Sequence, residues 1–180
     1  MAPARHYFPT LMVGGAPVGF AHLEPFQMSV VTEGRPGGAV IDVRFSNHCF
    51  SEGYDAALHA NPVDVWDRGR RRVFDQARYD LSLGLPAILA ALANSHVYQT
   101  PEANFVRIAT LDGAAGEYRV YFNLRRAPVG SGHDLSLFVE SAYRPDLAMA
   151  LKPARMTKVR FKLLADKVLR GESLRFHQKR

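Results

Sequence analysis

Apolar and polar residues alternate with period two over several stretches of this chain. The clearest is Glu117-Tyr118-Arg119-Val120-Tyr121-Phe122-Asn123-Leu124-Arg125. A strand there puts Tyr118, Val120, Phe122 and Leu124 on one side and Arg119, Tyr121, Asn123 and Arg125 on the other. Residues 105–111 and 135–143 carry similar patterns, and the short glycine-bearing connections at 112–116 and 128–132 predict antiparallel neighbours. Upstream, residues 26–32 and 39–46 flank the turn formers Glu33-Gly34-Arg35-Pro36-Gly37-Gly38 and read as a hairpin. In its second arm Ala39, Ile41, Val43 and Phe45 face inward while Asp42 and Arg44 face out. Residues 158–163 complete the set as a last strand running into a short helix near Arg170-Gly171, although Phe161, Leu164, Ala165 and Val168 also fit helical spacing.

Two helices are expected between these groups of strands. Asp75 is a suitable N-cap for one that runs to Leu83 and is broken by Gly84, and Pro86 starts a second that Asn94 closes. Residues 1–19, rich in Pro and Gly without periodicity, read as an irregular arm over the core, and residues 47–72 as a long ordered loop. Beyond the arm, residues 20–180 form one domain. The fold class is α+β: an antiparallel sheet of about five or six strands with two helices packed on one face and the other face partly open.

Composition narrows the class further. At 180 residues, with 47% hydrophobic and 22% charged positions, the chain is of single-domain size and can bury most of its apolar groups. Arginine outnumbers lysine within a net charge of +6, which suits phosphate because a guanidinium donates two parallel hydrogen bonds and stacks on bases. A single cysteine, Cys49, excludes an internal disulfide and leaves no thiolate cluster for zinc. No signal-like or membrane-length apolar run is present, so the expectation is a cytoplasmic protein without membrane contact and without a metal or cofactor.

If the strands share one sheet, its polar face gathers Arg44, Arg107, Arg119, Tyr121, Asn123 and Arg125, joined by Lys158, Arg160 and Lys162 from the last strand and by Phe138 and Glu140. Positive charge interleaved with aromatic rings fits a phosphate backbone and unstacked bases; the bland alternative is a solvated sheet face. Glu140 is placed as a proton acceptor or a charge balance. His48 is a proton-transfer group. Cys49 beside it is a buried thiol unless a second histidine folds back onto it. The run Asp67-Arg68-Gly69-Arg70-Arg71-Arg72 is a solvated loop or an extension of a phosphate track, and Trp66 a core anchor.

Tyr118-Arg119-Val120-Tyr121-Phe122, a loop, then Leu135-Ser136-Leu137-Phe138-Val139 and Ala142-Tyr143-Arg144 resemble the closing strands of RelE/ParE-type toxins. The resemblance covers about a third of the chain. It implies a small bacterial protein with a curved antiparallel sheet, whose catalytic relatives cut messenger RNA with basic and aromatic side chains and no metal. The longer arrangement, with His22-Leu23-Glu24-Pro25-Phe26 and Phe45-Ser46-Asn47-His48-Cys49-Phe50, is similar to uncharacterised bacterial proteins. The resulting expectation is an RNA-binding protein, with metal-independent endoribonuclease activity carried by His48, Glu140, Arg119, Arg125 and Tyr143. The nucleic acid is then held by Arg44, Arg107, Tyr121, Asn123, Arg144, Arg160 and Lys162. A non-catalytic module for an acidic protein or nucleic acid, and a cysteine-dependent enzyme centred on Cys49, are the alternatives.

Overall fold

The computed structural model describes residues 6–100, 105–110, 117–145 and 156–172; of residues 107–110 only the backbone is described. Among the described residues, twelve strands and three α-helices follow in chain order. The strands β1 (Leu11–Val13), β2 (Ala16–Val18), β3 (Phe26–Thr32), β4 (Arg35–Phe45), β5 (Ser51–Gly53), β6 (Asp64–Asp67) and β7 (Arg70–Phe74) come first. Next come α1 (Gln76–Ser82), α2 (Leu85–Ala90), β8 (His96–Gln99), β9 (Phe105–Thr110), β10 (Glu117–Arg126), β11 (Leu135–Tyr143), β12 (Thr157–Arg160) and α3 (Phe161–Leu169).

The class is α+β as expected, but the main sheet has seven strands in the order β12-β8-β9-β10-β11-β4-β3, and it is mixed. β11 runs parallel to β4, Leu135 beside Ile41 through Val139 beside Phe45, whereas the other neighbouring pairs are antiparallel. Long crossovers of this kind leave no local trace, because the two strands lie about ninety residues apart. Asp134 fixes the start of the parallel pair. Its carboxylate accepts from the Val40 backbone N–H at 2.9 Å and from Arg35, and its own N–H donates to the Val40 carbonyl.

Three further expectations are corrected. The hairpin loop at 33–38 is a turn at Glu33-Gly34, since Thr32 already pairs with Arg35. A Cβ at Gly34 would lie 2.8 Å from the Asp166 carboxylate that receives its N–H, so a larger residue there would have to displace that carboxylate. The stretch 47–72 is not all loop: β5, β7 and β6 form a second, three-stranded sheet. Its β6–β7 turn, Arg68-Gly69, holds both residues at positive φ (48° and 83°), the turn geometry that matches strand twist. The signal was hidden because arginine rarely occupies such a turn. Within residues 6–19 the chain is not an irregular arm: β1 and β2 form a hairpin, and Phe8, Leu11 and Val18 pack on the core.

One face of the main sheet is packed. Ile41, Val43, Phe45, Tyr118, Val120, Phe122, Leu135, Leu137 and Val139 meet Leu85, Leu89 and Leu92 from α2 and the turn after it, and Phe161, Leu164 and Ala165 from α3. Each such fully buried Leu or Phe contributes roughly 1.5–3 kcal/mol of transfer free energy. The helix starts follow the sequence signals: Asp75 accepts from Arg78 N–H, and Pro86 lies in the first turn of α2. The cover nevertheless includes a third helix, because Phe161 to Val168 adopts the helical rather than the strand spacing. The connection at 112–116 and most of 145–153 lie outside the described residues. Among those residues no helix is long and apolar enough to cross a membrane.

Candidate functional site

On the opposite face of β10 and β11, partly roofed by the β6–β7 hairpin, lies a cleft of about 570 Å³. Ser46, His48, Asp67, Arg68, Thr100, Tyr121, Phe138, Glu140, Ser141 and Tyr143 line it. Its floor depends on one irregularity. Along β10 and β11, Tyr121 pairs with Ser141 and the next residue, Phe122, pairs with Val139, so Glu140 is the extra residue of a bulge. The bulge resets the alternation by one. Before it the odd residues Leu135, Leu137 and Val139 are buried; after it Ala142 is, and Tyr143 turns to the cleft.

The sequence reading placed Phe138, Glu140, Tyr121 and Asn123 together, and the structure does bring them together. The Asn123 amide donates to the Glu140 carboxylate. Tyr121 and Tyr143 stack with centroids 5.5 Å apart and planes 15° apart, and the Tyr121 hydroxyl is hydrogen-bonded to Tyr143 and Arg119. Burial, then the bond to Tyr143, pushes the Tyr121 hydroxyl up to about 12, so that ring meets a ligand as a neutral surface.

His48 reaches the cleft through a short chain of local bonds. Ser46 caps the turn at Asn47–Cys49 by accepting from His48 N–H at 2.9 Å, while its own N–H donates to the Val139 carbonyl and ties the turn to β11. Arg78 of α1 donates to the His48 and Ser51 carbonyls, and its guanidinium lies 5.1 Å from the Tyr143 ring centroid. The His48 Nε2 lies 2.9 Å from the Asp67 Oδ2. An ionised carboxylate can only accept, so Nε2 carries the hydrogen and Nδ1 keeps the lone pair. Partial burial lowers the His48 pKa and outweighs the Asp67 bond, with Arg72 and Arg78 adding to the lowering. A neutral imidazole oriented by a carboxylate has the form of a general base near neutral pH.

Among the described residues the expected basic side chains do not gather into one continuous face. Arg119 lies on the cleft side by register, opposite Tyr143, but it is 2% exposed and its guanidinium is held by Glu117 at 2.9 Å. Buried and paired, it cannot meet a ligand phosphate. Arg44 is exposed beside Phe138 and bonded to Asp42 at 2.8 Å; Arg125 is exposed two residues along β10 from Asn123. Arg107 pairs with Val120, and its side chain lies outside the described residues. Arg144 is exposed just beyond β11. Lys158 and Arg160 sit on β12, an edge strand four positions from β11, and Lys162 is on α3 rather than on the sheet, so none of these three reaches the cleft. A propensity argument could not see this separation, because strand order is set by long-range pairing.

Thr100, Ser141 and Arg78 are cleft or supporting residues that the sequence reading did not assign, whereas Asp67 and Arg68 lie in the run read as a solvated loop or an extension of a phosphate track. Membership of that charged run was the usable signal for these two; the other three had none. Trp66 is 62% exposed on the small sheet rather than buried, since it pairs with Arg71 on the outer face. Cys49 is fully buried, and burial pushes its thiol up to about 12, leaving no thiolate at neutral pH. Among the described residues no three His, Cys, Asp or Glu side chains are grouped as a metal site.

Residues 10–169 match the family model described as the YjaZ family. No curated protein and no solved structure matches the chain.

Proposed function

The chain belongs to the YjaZ family, and we propose that this member binds single-stranded RNA in the cleft and cleaves it without a metal. The observation that carries the reading is the convergence of His48, with its Asp67 partner, and the Tyr121–Tyr143 stack on one cleft. Aromatic rings receive unpaired bases, and a neutral oriented imidazole accepts a proton.

The roles differ from a purely sequence-based assignment. His48 Nδ1 takes the 2′-hydroxyl proton because Glu140 is engaged by the Asn123 amide. The 2′ oxygen bonds to phosphorus as the bond from phosphorus to the 5′ oxygen breaks, and the departing 5′ oxygen takes a proton from water. The products are a 2′,3′-cyclic phosphate and a 5′-hydroxyl. Arg68, at the tip of the β6–β7 hairpin, is the arginine of the cleft lining. It supplies charge to the scissile phosphate. Arg44 on β4, Arg125 on β10 and Arg144 just beyond β11, all exposed, extend the track for flanking phosphates.

The test combines binding and product analysis. Affinity for single-stranded RNA, measured across a salt series, is expected to fall steeply with salt, since each neutralised phosphate adds to the slope. End-group analysis should find cyclic phosphate made by the wild type and not by His48→Ala. Salt-sensitive binding without cleavage favours the non-catalytic alternative, which the tie between Asn123 and Glu140 already suits by removing one carboxylate from proton transfer. Absence of binding at low salt eliminates both.

A further inference from the structure

A second cavity, of about 380 Å³, opens where the β3–β4 turn, the β10–β11 connection and the end of α3 meet. It lies at the other end of the main sheet from the cleft. Arg35 of this cavity is the first residue of β4 and Ser46 of the cleft follows the last, so roughly 30 Å of strand separates the two. Arg35, Arg126 and Arg170 line the second cavity, and all three are exposed. Asp134 and Asp166 share the lining, but both oxygens of each carboxylate are already engaged. Asp134 accepts from Arg35 and the Val40 N–H, and Asp166 accepts from the Gly34 N–H at 2.9 Å and from Arg170 at 2.7 Å. These pairs hold Arg35 and Arg170 in place without exhausting them. A guanidinium carries five N–H groups, and Arg35 spends one nitrogen on Asp134 while Arg170 spends one on Asp166 and one on Glu172. The Arg126 guanidinium has no ion-pair or hydrogen-bond partner among the described residues.

We infer that this cavity is a separate binding site for the phosphate group of a small molecule. Three guanidinia from the start of β4, the end of β10 and the end of α3 line one space, and a tetrahedral phosphate has oxygens enough to meet all three. A planar carboxylate offers only two. Arg126 supplies the positive charge that no carboxylate balances, whereas Arg35 and Arg170 supply donors already fixed by their ion pairs. Little side-chain freedom is then lost on binding, which favours affinity. The cavity's volume suits a ligand of small-metabolite size. The inference does not rest on the RNA reading, because the two sites share no residue.

The experiment titrates the full chain with pyrophosphate by calorimetry at constant ionic strength, with acetate as the carboxylate control. Saturable one-to-one binding of pyrophosphate is expected, with acetate much weaker. Arg126→Gln should weaken pyrophosphate binding about tenfold and melt no lower than the wild type, since the residue is exposed and unpaired. Arg68→Gln removes the same charge from the cleft lining and should leave pyrophosphate binding unchanged. An excess of single-stranded RNA hexamer should leave it unchanged too. No saturable binding, or equal binding of acetate, would overturn the inference. So would full affinity in Arg126→Gln, or an equal loss in Arg68→Gln, which would place the anion in the cleft. Displacement of pyrophosphate by the hexamer would make the cavity part of an RNA track instead, and a lowered melting temperature for Arg126→Gln would assign that residue to the fold. A chain that binds pyrophosphate through Arg126 but no RNA loses the RNA reading and keeps this site.

Discussion

The Nε2 of His48 and the Oδ2 of Asp67 lie 2.9 Å apart, joining the turn after β4 to the end of β6 across the mouth of the cleft. The pair fixes the imidazole tautomer as well as its position. In Asp67→Asn an amide that donates to Nε2 would move the ring hydrogen to Nδ1 and remove the lone pair from the cleft. Cleavage by this variant is expected to fall at least about tenfold, with melting close to that of the wild type, because general-base contributions are typically 10²–10⁴-fold. Single-turnover assays and thermal melts check it, and full activity in Asp67→Asn would dismiss Asp67 as a positioning residue.

Arg119 and Arg125 share a strand face, but the environments are opposite. Arg119→Ala removes a buried, hydrogen-bonded cation and should cost roughly 1.5–3 kcal/mol of stability. Arg125 is exposed, so Arg125→Ala should stay within about 0.5 kcal/mol while weakening RNA binding and reducing its salt slope. Phe122→Ala, on the packed face, should cost roughly 3–5 kcal/mol. Denaturant titrations of the three variants rank them; an Arg119→Ala as stable as Arg125→Ala would contradict the burial of Arg119.

Deleting Glu140 offers an unusual test of the bulge. The sequence then reads Val139-Ser141-Ala142-Tyr143, which alternates in phase with β10 without an extra residue. The shortened protein is expected to fold with stability close to the wild type, because Val139 and Ala142 keep their buried places. Retention of stacked Tyr121 and Tyr143 can be followed by near-ultraviolet circular dichroism. A molten or aggregated product would mean that the bulge itself is needed for folding.

Two carboxylates tie loops to the framework and set acid sensitivity. The Gly34 backbone N–H chiefly holds the Asp166 carboxyl below its ordinary range, with help from Arg170; the Val40 N–H, then Arg35, do the same for Asp134. Depressed folded values mean that this stabilisation is complete above the unfolded pKa of about 4 and is lost as pH falls through the lower folded values. His48 and His22 are also lowered, both chiefly by burial. Between about 6.5 and their folded values the unfolded chain therefore binds more protons, and stability declines there first. Equilibrium unfolding from pH 8 to pH 3 should show a shallow loss below about 6.5 and a steeper one below about 4. Asp166→Asn should flatten part of the second step. Stability that rises on acidification from pH 7 to 5 would reverse the assigned histidine shifts.

By itself the sequence determined what local physics determines. Period-two alternation gave β3, most of β4, β9, β10 and β11, with Phe122 and Val139 inward and Tyr121 and Phe138 outward. Asp75 and Pro86 announced the two central helices, and the glycine-bearing connections announced the antiparallel pairings of β9, β10 and β11. Tertiary structure alone decided the rest. The parallel contact of β11 with β4 depends on chain segments about ninety residues apart, so no local pattern encodes it. Strand order moved Arg160 away from the cleft and helix packing took Lys162 off the sheet, while burial withdrew Arg119 from any ligand. Asp67 became a partner of His48 because the run 67–72, charged along its length, folds as a hairpin about a left-handed turn and lays its end across the sheet. Alternation reports which side of a strand a residue occupies; which distant segment covers that side is fixed by the packing of the whole core.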